Sequence, residues 1–139
     1  MKGQYLTVEY VLFFAFGVTM AVGVFLLFSN IAGNIRESGM EAQFEKTGEL
    51  IRGHIIQAFN SAKFTGSTVK YNVSIPTELS DCIYLVNIDG NNLELRCKDN
   101  FNIGAVLSLY GITAENEAVV YSSRGLVKIT AEPDGVTLG

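Results

Sequence analysis

Charged residues are scarce in this sequence, and they are absent from one long stretch of it. Only 17% of the 139 residues are charged, whereas a globular domain usually carries about 25%. No charged residue lies between Glu9 and Arg36. A segment this long and apolar has to be kept out of water, which excludes an ordinary soluble cytosolic domain. An apolar fraction of 48% and a net charge of −4 also exclude intrinsic disorder.

Residues that could catalyse a reaction or hold a metal are scarce as well. His54 is the single histidine, and we interpret it as an ordinary surface or packed residue of a helix. Two cysteines cannot by themselves form a four-ligand zinc site. No G-x-S-x-G, Walker or HExxH motif occurs, and 10 basic against 14 acidic residues argue against nucleic-acid binding. We expect no enzyme, no cofactor, no metal and no nucleic-acid partner.

Apolar residues are abundant near the N-terminus. Residues 10–28 carry no charge, and as an α-helix they would span about 28 Å, close to the hydrocarbon core of a bilayer at about 30 Å. The stretch is longer than the apolar core of an ordinary secretory signal peptide, which has about 7–15 residues. It predicts a transmembrane helix.

Glu9 stands at the edge of this apolar run. An isolated carboxylate at membrane depth is costly and normally needs a positive partner, but no Lys or Arg follows within a helical turn. Cleavage near Gly3 would create an α-amino group about one and a half turns from Glu9. That amine could neutralise the carboxylate in the same chain or in a neighbouring copy. The alternative is an uncleaved anchor whose Glu9 lies in the headgroup region.

Residues 2–11 read Lys-Gly-Gln-Tyr-Leu-Thr-Val-Glu-Tyr-Val, and with the apolar run they resemble the class III signal peptide of archaeal type IV pilin-like proteins. In that family a very short basic leader ends in Gly and is cleaved before a Gln, and a Ser or Thr and a Glu precede the apolar helix. The resemblance implies cleavage between Gly3 and Gln4 by a prepilin peptidase. Glu9 would be the sixth mature residue, where the family usually has it fifth, and cleavage after Gln4 would restore that spacing.

The resemblance implies a major or minor structural subunit of an archaeal type IV pilus-like surface filament, with adhesion as its role. Thr7 and Glu9 would be assembly residues. The partners would be other pilin subunits, the membrane, the peptidase, an assembly ATPase and a membrane platform protein. The precursor would be membrane-anchored with an extracellular C-terminal domain, and the mature form would lie in the filament. The alternative is a non-polymerising, membrane-anchored extracellular binding module; an anchored hydrolase is disfavoured by the missing motifs.

The pattern along the chain predicts an α+β fold, with an apolar helix at 4–33, an amphipathic continuation at 34–64 and a β domain at 65–139. The resemblance implies that 1–3 is a cleaved leader, that 4–33 is the assembly helix and that the β domain is extracellular. Helical periodicity predicts one apolar stripe on the continuation, made of Met40, Phe44, Leu50, Ile51, Ile55, Ala58, Phe59 and Ala62. A kink or local melting is expected near Gly33, because Asn and Gly weaken a helix.

Alternating apolar residues predict the strands of the β domain, at 69–75, 103–109, 118–121, 126–131 and 136–138. Residues 122–125 are predicted to form a hairpin turn, and residues 133–135 a further turn. These strands would form a small antiparallel sheet on which the helical stripe packs, or a small sandwich.

The segment from Cys82 to Cys97 predicts a hairpin with a disulfide. An Asp89-Gly90 loop would place the two cysteines opposite each other, whereas a four-residue loop at 89–92 would make them diagonal neighbours. Two buried free thiols are the alternative to the disulfide. Asn72-Val73-Ser74 is a sequon on the outward face of its strand, which makes Asn72 a candidate N-glycosylation site unless the match is accidental.

Overall fold

The computed structural model describes residues 2–116 and 118–139, and its fold is α+β. A long N-terminal helix, α1 (Lys2–Thr65), is followed by two small antiparallel sheets, which confirms the predicted fold class. Met1 of the expected leader lies outside the described residues. The chain divides into a first unit that ends at Glu37 and a second unit, Ser38–Gly139.

In the first unit, the described residues form a single helix. Their large apolar side chains, from Tyr5 to Ile35, are exposed. The residues on both sides of Gly33 are α-helical, so the expected local melting is wrong. One helical glycine costs only about 1 kcal/mol relative to alanine, which is too little to interrupt a long helix.

In the second unit, α1 buries one face, as its periodicity predicts. The buried positions are Phe44, Thr47, Gly48, Ile51, Ile55, Ala58 and Ala62. Leu50, however, is 49% exposed, so its assignment to the stripe is wrong. It lies about 100° around the helix from Ile51, and Ile51 is at the centre of the buried face.

Seven strands follow the helix among the described residues: β1 (Val69–Ser74), β2 (Tyr84–Asp89), β3 (Asn92–Cys97), β4 (Gly104–Ser108), β5 (Val120–Tyr121), β6 (Leu126–Glu132) and β7 (Gly135–Leu138). One sheet has three strands in the order β1-β6-β7, and the other has four in the order β4-β3-β2-β5. The inward side chains of both sheets and the buried face of α1 form one apolar core.

Of the two predicted turns, the one at 133–135 is confirmed and the hairpin turn at 122–125 is not. A loop at Pro133-Asp134 joins β6 to β7 as a hairpin, with Glu132 opposite Gly135. The predicted hairpin at 122–125 is wrong, because β5 and β6 belong to different sheets. A 3-10 helix, Ser122–Arg124, connects them and ends at Gly125, whose left-handed φ of 68° suits glycine.

The predicted disulfide closes the hairpin of β2 and β3, from Cys82 just before β2 to Cys97 at the end of β3. Cys82 and Cys97 are bonded, with their Cα atoms 5.9 Å apart. Asp89 pairs with Asn92, and Tyr84 pairs with Cys97, so the register with Cys82 directly opposite Cys97 is wrong. The cysteines are diagonal neighbours, as the four-residue alternative predicted, but the loop itself contains only Gly90 and Asn91, because Asp89 and Asn92 are paired strand residues.

Candidate assembly surface

The two residues predicted for processing lie at the start of α1. The hydroxyl of Thr7 donates a hydrogen bond to the carbonyl oxygen of Gly3, at 2.9 Å, so it contacts the carbonyl of the Gly3–Gln4 peptide bond. Helix ends leave backbone N–H groups without intrahelical partners and fray readily. The Gly3–Gln4 peptide bond lies in this first part of α1.

Glu9 lies on an apolar face of the same helix. Leu12, Phe13, Ala15, Phe16 and Thr19 line a shallow groove with it. The ion pairs found among the described side chains lie in the second unit, at Arg52–Glu49 and Arg96–Glu94, and none involves Glu9. Thr7 and Glu9 are about 200° apart around the helix. The structure therefore does not bring the two predicted assembly residues together.

The surface around Glu9 is apolar and exposed. An 18-residue window of the helix reaches a mean hydropathy of 2.6 with none of its residues buried. By length and composition this is a candidate membrane-spanning helix, which is consistent with a membrane anchor.

Small residues recur on one side of this helix, at Ala15, Thr19 and Gly23. The hydroxyl of Thr19 donates to the carbonyl oxygen of Ala15, at 2.8 Å, so this polar group is satisfied within its own helix. Small residues four apart allow a second helix to approach closely. The spacing could have been noticed in the sequence, but the hydrogen bond of Thr19 could not.

The remaining predicted residues are in the second unit. Asn72 is exposed on β1, with Ser74 on the same face, so the sequon is accessible. His54 is partly buried on α1. Within residues 2–116 and 118–139, no group of three or more His, Cys, Asp or Glu is arranged to hold a metal ion.

A buried polar network that the sequence pattern does not reveal links the β1–β2 connection to β2 and to the 3-10 helix. Ser122 is fully buried; its Oγ donates to the carbonyl oxygen of Thr77 at 2.7 Å and accepts from the N–H of Tyr84 at 3.0 Å. The Tyr84 hydroxyl donates to the carbonyl oxygen of Pro76 at 2.8 Å. Burial raises the pKa of Tyr84 to about 12. These bonds fix the segment that leads from β1 to β2.

Comparisons with protein-family models, with curated proteins and with solved structures found no match to this chain.

Proposed function

We propose that this protein is a structural subunit, major or minor, of an archaeal type IV pilus-like surface filament. It is made as a membrane-anchored precursor, cut by a prepilin peptidase and assembled through its apolar helix. The proposal rests on the position of Glu9, a carboxylate at the edge of the uncharged run of α1. The large apolar side chains of this part of the helix, from Tyr5 to Ile35, are all exposed.

The charge of Glu9 supports assembly after cleavage. Among the described residues of the first unit, the nearest cationic side chain after Glu9 is Arg36, about 40 Å further along the helix axis. Cleavage at Gly3–Gln4 would place an α-amino group about 7.5 Å before Glu9 along the same axis. A neighbouring copy displaced by about that distance would put its amine beside Glu9 and neutralise it.

The apolar surface supports helix–helix packing as the end state. In a membrane, burying apolar side chains against another helix instead of lipid gives little gain by itself, so close packing has to supply the driving force. Ala15, Thr19 and Gly23 leave a shallow strip for a second backbone, and Phe16 borders it. The filament core would thus consist of many copies of this helix.

The second unit suits exposure on the outside of the cell. A disulfide such as Cys82–Cys97 persists in oxidising compartments and is rare in the cytosol. In the filament, this unit would coat the surface and make the adhesive contacts. Its role is structural and recognitional rather than catalytic, and its partners are other pilin subunits, the assembly ATPase and the platform protein.

The first test is the N-terminus of the protein isolated from its native cell. Intact-mass and N-terminal peptide measurements should find a chain that begins at Gln4, or at Tyr5 if the cut restores the usual spacing of the glutamate. A chain that retains Met1 or Lys2 contradicts processing and leaves the membrane-anchored binding module as the explanation.

The second test is filament incorporation of Glu9 variants. Glu9→Gln keeps the size of the side chain and removes its charge, and Glu37→Gln is a matched control at the other end of the first unit. Glu9→Gln should insert into the membrane normally, as measured by carbonate extraction, but should be depleted from sheared filaments about tenfold or more. Equal incorporation of the two variants contradicts a role for Glu9 in assembly.

A further inference from the structure

A groove of about 500 Å³ lies between β4 and α1 in the second unit. One wall is the whole of β4, and the other is a row of carboxylates from Glu41, Glu45 and Glu49. Arg52 lies at one end, where its guanidinium is bonded to Glu49 at 2.6 Å and lies 5.4 Å from the centre of the Tyr110 ring. Two of the three carboxylates, Glu41 and Glu45, have no ion pair among the described residues.

The β4 wall is an unpaired sheet edge. β4 is the first strand in the order β4-β3-β2-β5. Its backbone hydrogen bonds to β3 are made by every second residue along the strand. The N–H of Leu109 donates to the carbonyl oxygen of Asn91, and the carbonyl oxygen of Ile103 accepts from the N–H of Cys97. The backbone N–H and C=O groups of the odd-numbered residues therefore point toward β3. The N–H and C=O groups of the even-numbered residues therefore point away from β3, into the groove; these residues are Gly104, Val106 and Ser108.

The dimensions of the two walls match one extended chain. Glu41 and Glu45 are one i,i+4 step apart, which is about 6 Å along the helix axis. Side chains on one face of a strand recur every second residue, at about 6.6 Å. A strand added alongside β4 would thus direct alternate side chains toward the helix at nearly the spacing of the carboxylates.

We propose that this groove binds an extended, basic segment of another protein, which adds to the four-stranded sheet as a strand beside β4. Its backbone would bond to the free groups of Gly104, Val106 and Ser108, and Lys or Arg side chains at alternate positions would face Glu41 and Glu45. Backbone bonds supply affinity in this mode of recognition, and side chains supply selectivity. The proposal does not depend on polymerisation of the first unit.

The charges favour such a partner over a second copy of this chain. The outward face of the edge strand β1 has only one cation, Lys70, beside Asn72 and Ser74. The described strands β5 and β7 have no basic residue. Edge strand β1, β5 or β7 of a second copy could therefore satisfy at most one of the two free carboxylates in the groove.

The test uses the full chain in an uncharged detergent and a capped hexapeptide that alternates lysine with valine. Binding is measured by isothermal titration calorimetry, with a hexapeptide that alternates glutamate with valine as the comparison. The basic peptide should bind, its affinity should fall as salt is added, and the acidic peptide should bind at least about tenfold more weakly. Absence of binding by the basic peptide, or equal binding of both peptides, overturns the proposal.

Proline variants test the backbone contacts. Val106→Pro removes an N–H that faces the groove, and edge strands tolerate proline at such positions. Asn72→Pro is the matched control, because the N–H of Asn72 points outward from the other sheet, at the free edge of β1. Val106→Pro should weaken binding about fivefold to tenfold, and Asn72→Pro should leave it unchanged; equal effects overturn the proposal.

Charge variants keep the test valid if a proline variant fails to fold. Glu41→Gln/Glu45→Gln should lower the affinity and reduce its salt dependence. Glu78→Gln/Asp134→Asn changes the net charge equally at exposed positions outside the groove and should do neither. Self-association of the chain that Val106→Pro abolishes and Asn72→Pro leaves intact would assign the edge to a second copy and overturn the proposal.

Discussion

The ring of Phe44 meets the ring of Tyr84 edge to face, with the centroids 5.6 Å apart and the ring planes at 76°. Both residues are fully buried, and the contact joins α1 to β2. Edge-to-face aromatic pairs contribute about 0.5–1.5 kcal/mol beyond the burial of their surface. Phe44 therefore anchors the helix to the four-stranded sheet.

Removal of this anchor should destabilise the second unit strongly. Phe44→Ala is expected to lower the free energy of unfolding by about 3–5 kcal/mol, because it leaves a cavity in the core. Leu50→Ala is the control: Leu50 is 49% exposed, and its loss should cost less than about 1 kcal/mol. Urea unfolding of the full chain in detergent, followed by near-UV circular dichroism, measures both. A cost at Leu50 equal to that at Phe44 would place the buried face of the helix elsewhere.

Alkaline pH should destabilise the fold through Tyr84. Burial raises the pKa of this hydroxyl from 10.0 to about 12, so between these values the unfolded chain loses the proton while the folded chain keeps it. The unfolded state then binds fewer protons, and the free energy of unfolding must fall as pH rises through this window. Below about pH 10 the group contributes no pH dependence.

Tyr84→Phe separates this effect from the titration of other groups. The variant loses the hydrogen bond to Pro76, at a cost of about 1 kcal/mol near neutral pH, but its stability should decline less steeply above about pH 10. Unfolding curves at intervals from pH 8 to about pH 12 measure the two slopes. Identical slopes for the variant and the natural chain would show that Tyr84 titrates normally.

Local sequence patterns predict much of this fold, because the periodicity of a helix or a strand depends only on residues that are close together in the sequence. The alternation in β1 and the helical period around Ile51 and Ile55 are such patterns, and both were predicted correctly. Leu50 was assigned wrongly because a period of three or four leaves the exact centre of a helix face undetermined. The length and apolar composition of residues 10–28 likewise predict a helix that could span a membrane, but not that its side chains are exposed.

Long-range pairings could not be predicted in the same way. Strands β5 and β6 have the pattern of a hairpin, but they belong to different sheets, and nothing in their own residues indicates this. Ser122 appears as an ordinary turn residue, although its bonds reach Tyr84 and Thr77, 38 and 45 residues away. The groove beside β4 is likewise formed by elements that are distant in sequence.

The disulfide should stabilise the β2–β3 hairpin mainly by restricting the unfolded chain. Cys82 and Cys97 are separated by 15 residues, and a loop of that size corresponds to about 3 kcal/mol in the chain-entropy model. Cys82→Ala/Cys97→Ala should lower the free energy of unfolding by about 2–4 kcal/mol, and so should a thiol reductant added to the natural chain. The reductant should not affect the double variant; an effect there would mean that it acts elsewhere.

Two glycines of α1 should respond to alanine in opposite directions. A Cβ at Gly48 would overlap the side chain of Leu107 on β4, whereas a Cβ at Gly53 would meet no atom within 4 Å. In an open helical position, alanine is favoured over glycine by about 0.8–1 kcal/mol. Gly53→Ala should therefore stabilise the second unit by up to that amount.

Gly48→Ala gains the same helical preference but has to displace Leu107 from a packed core, which typically costs about 1–3 kcal/mol. We therefore expect a net loss of stability at Gly48, measured by the same urea unfolding, against a gain at Gly53. Because both positions lie on one helix and undergo one substitution, helix propensity cancels in the comparison and the difference reports the distance between α1 and β4. Equal gains at both sites would mean that the sheet lies further from the helix at Gly48 than the structure places it.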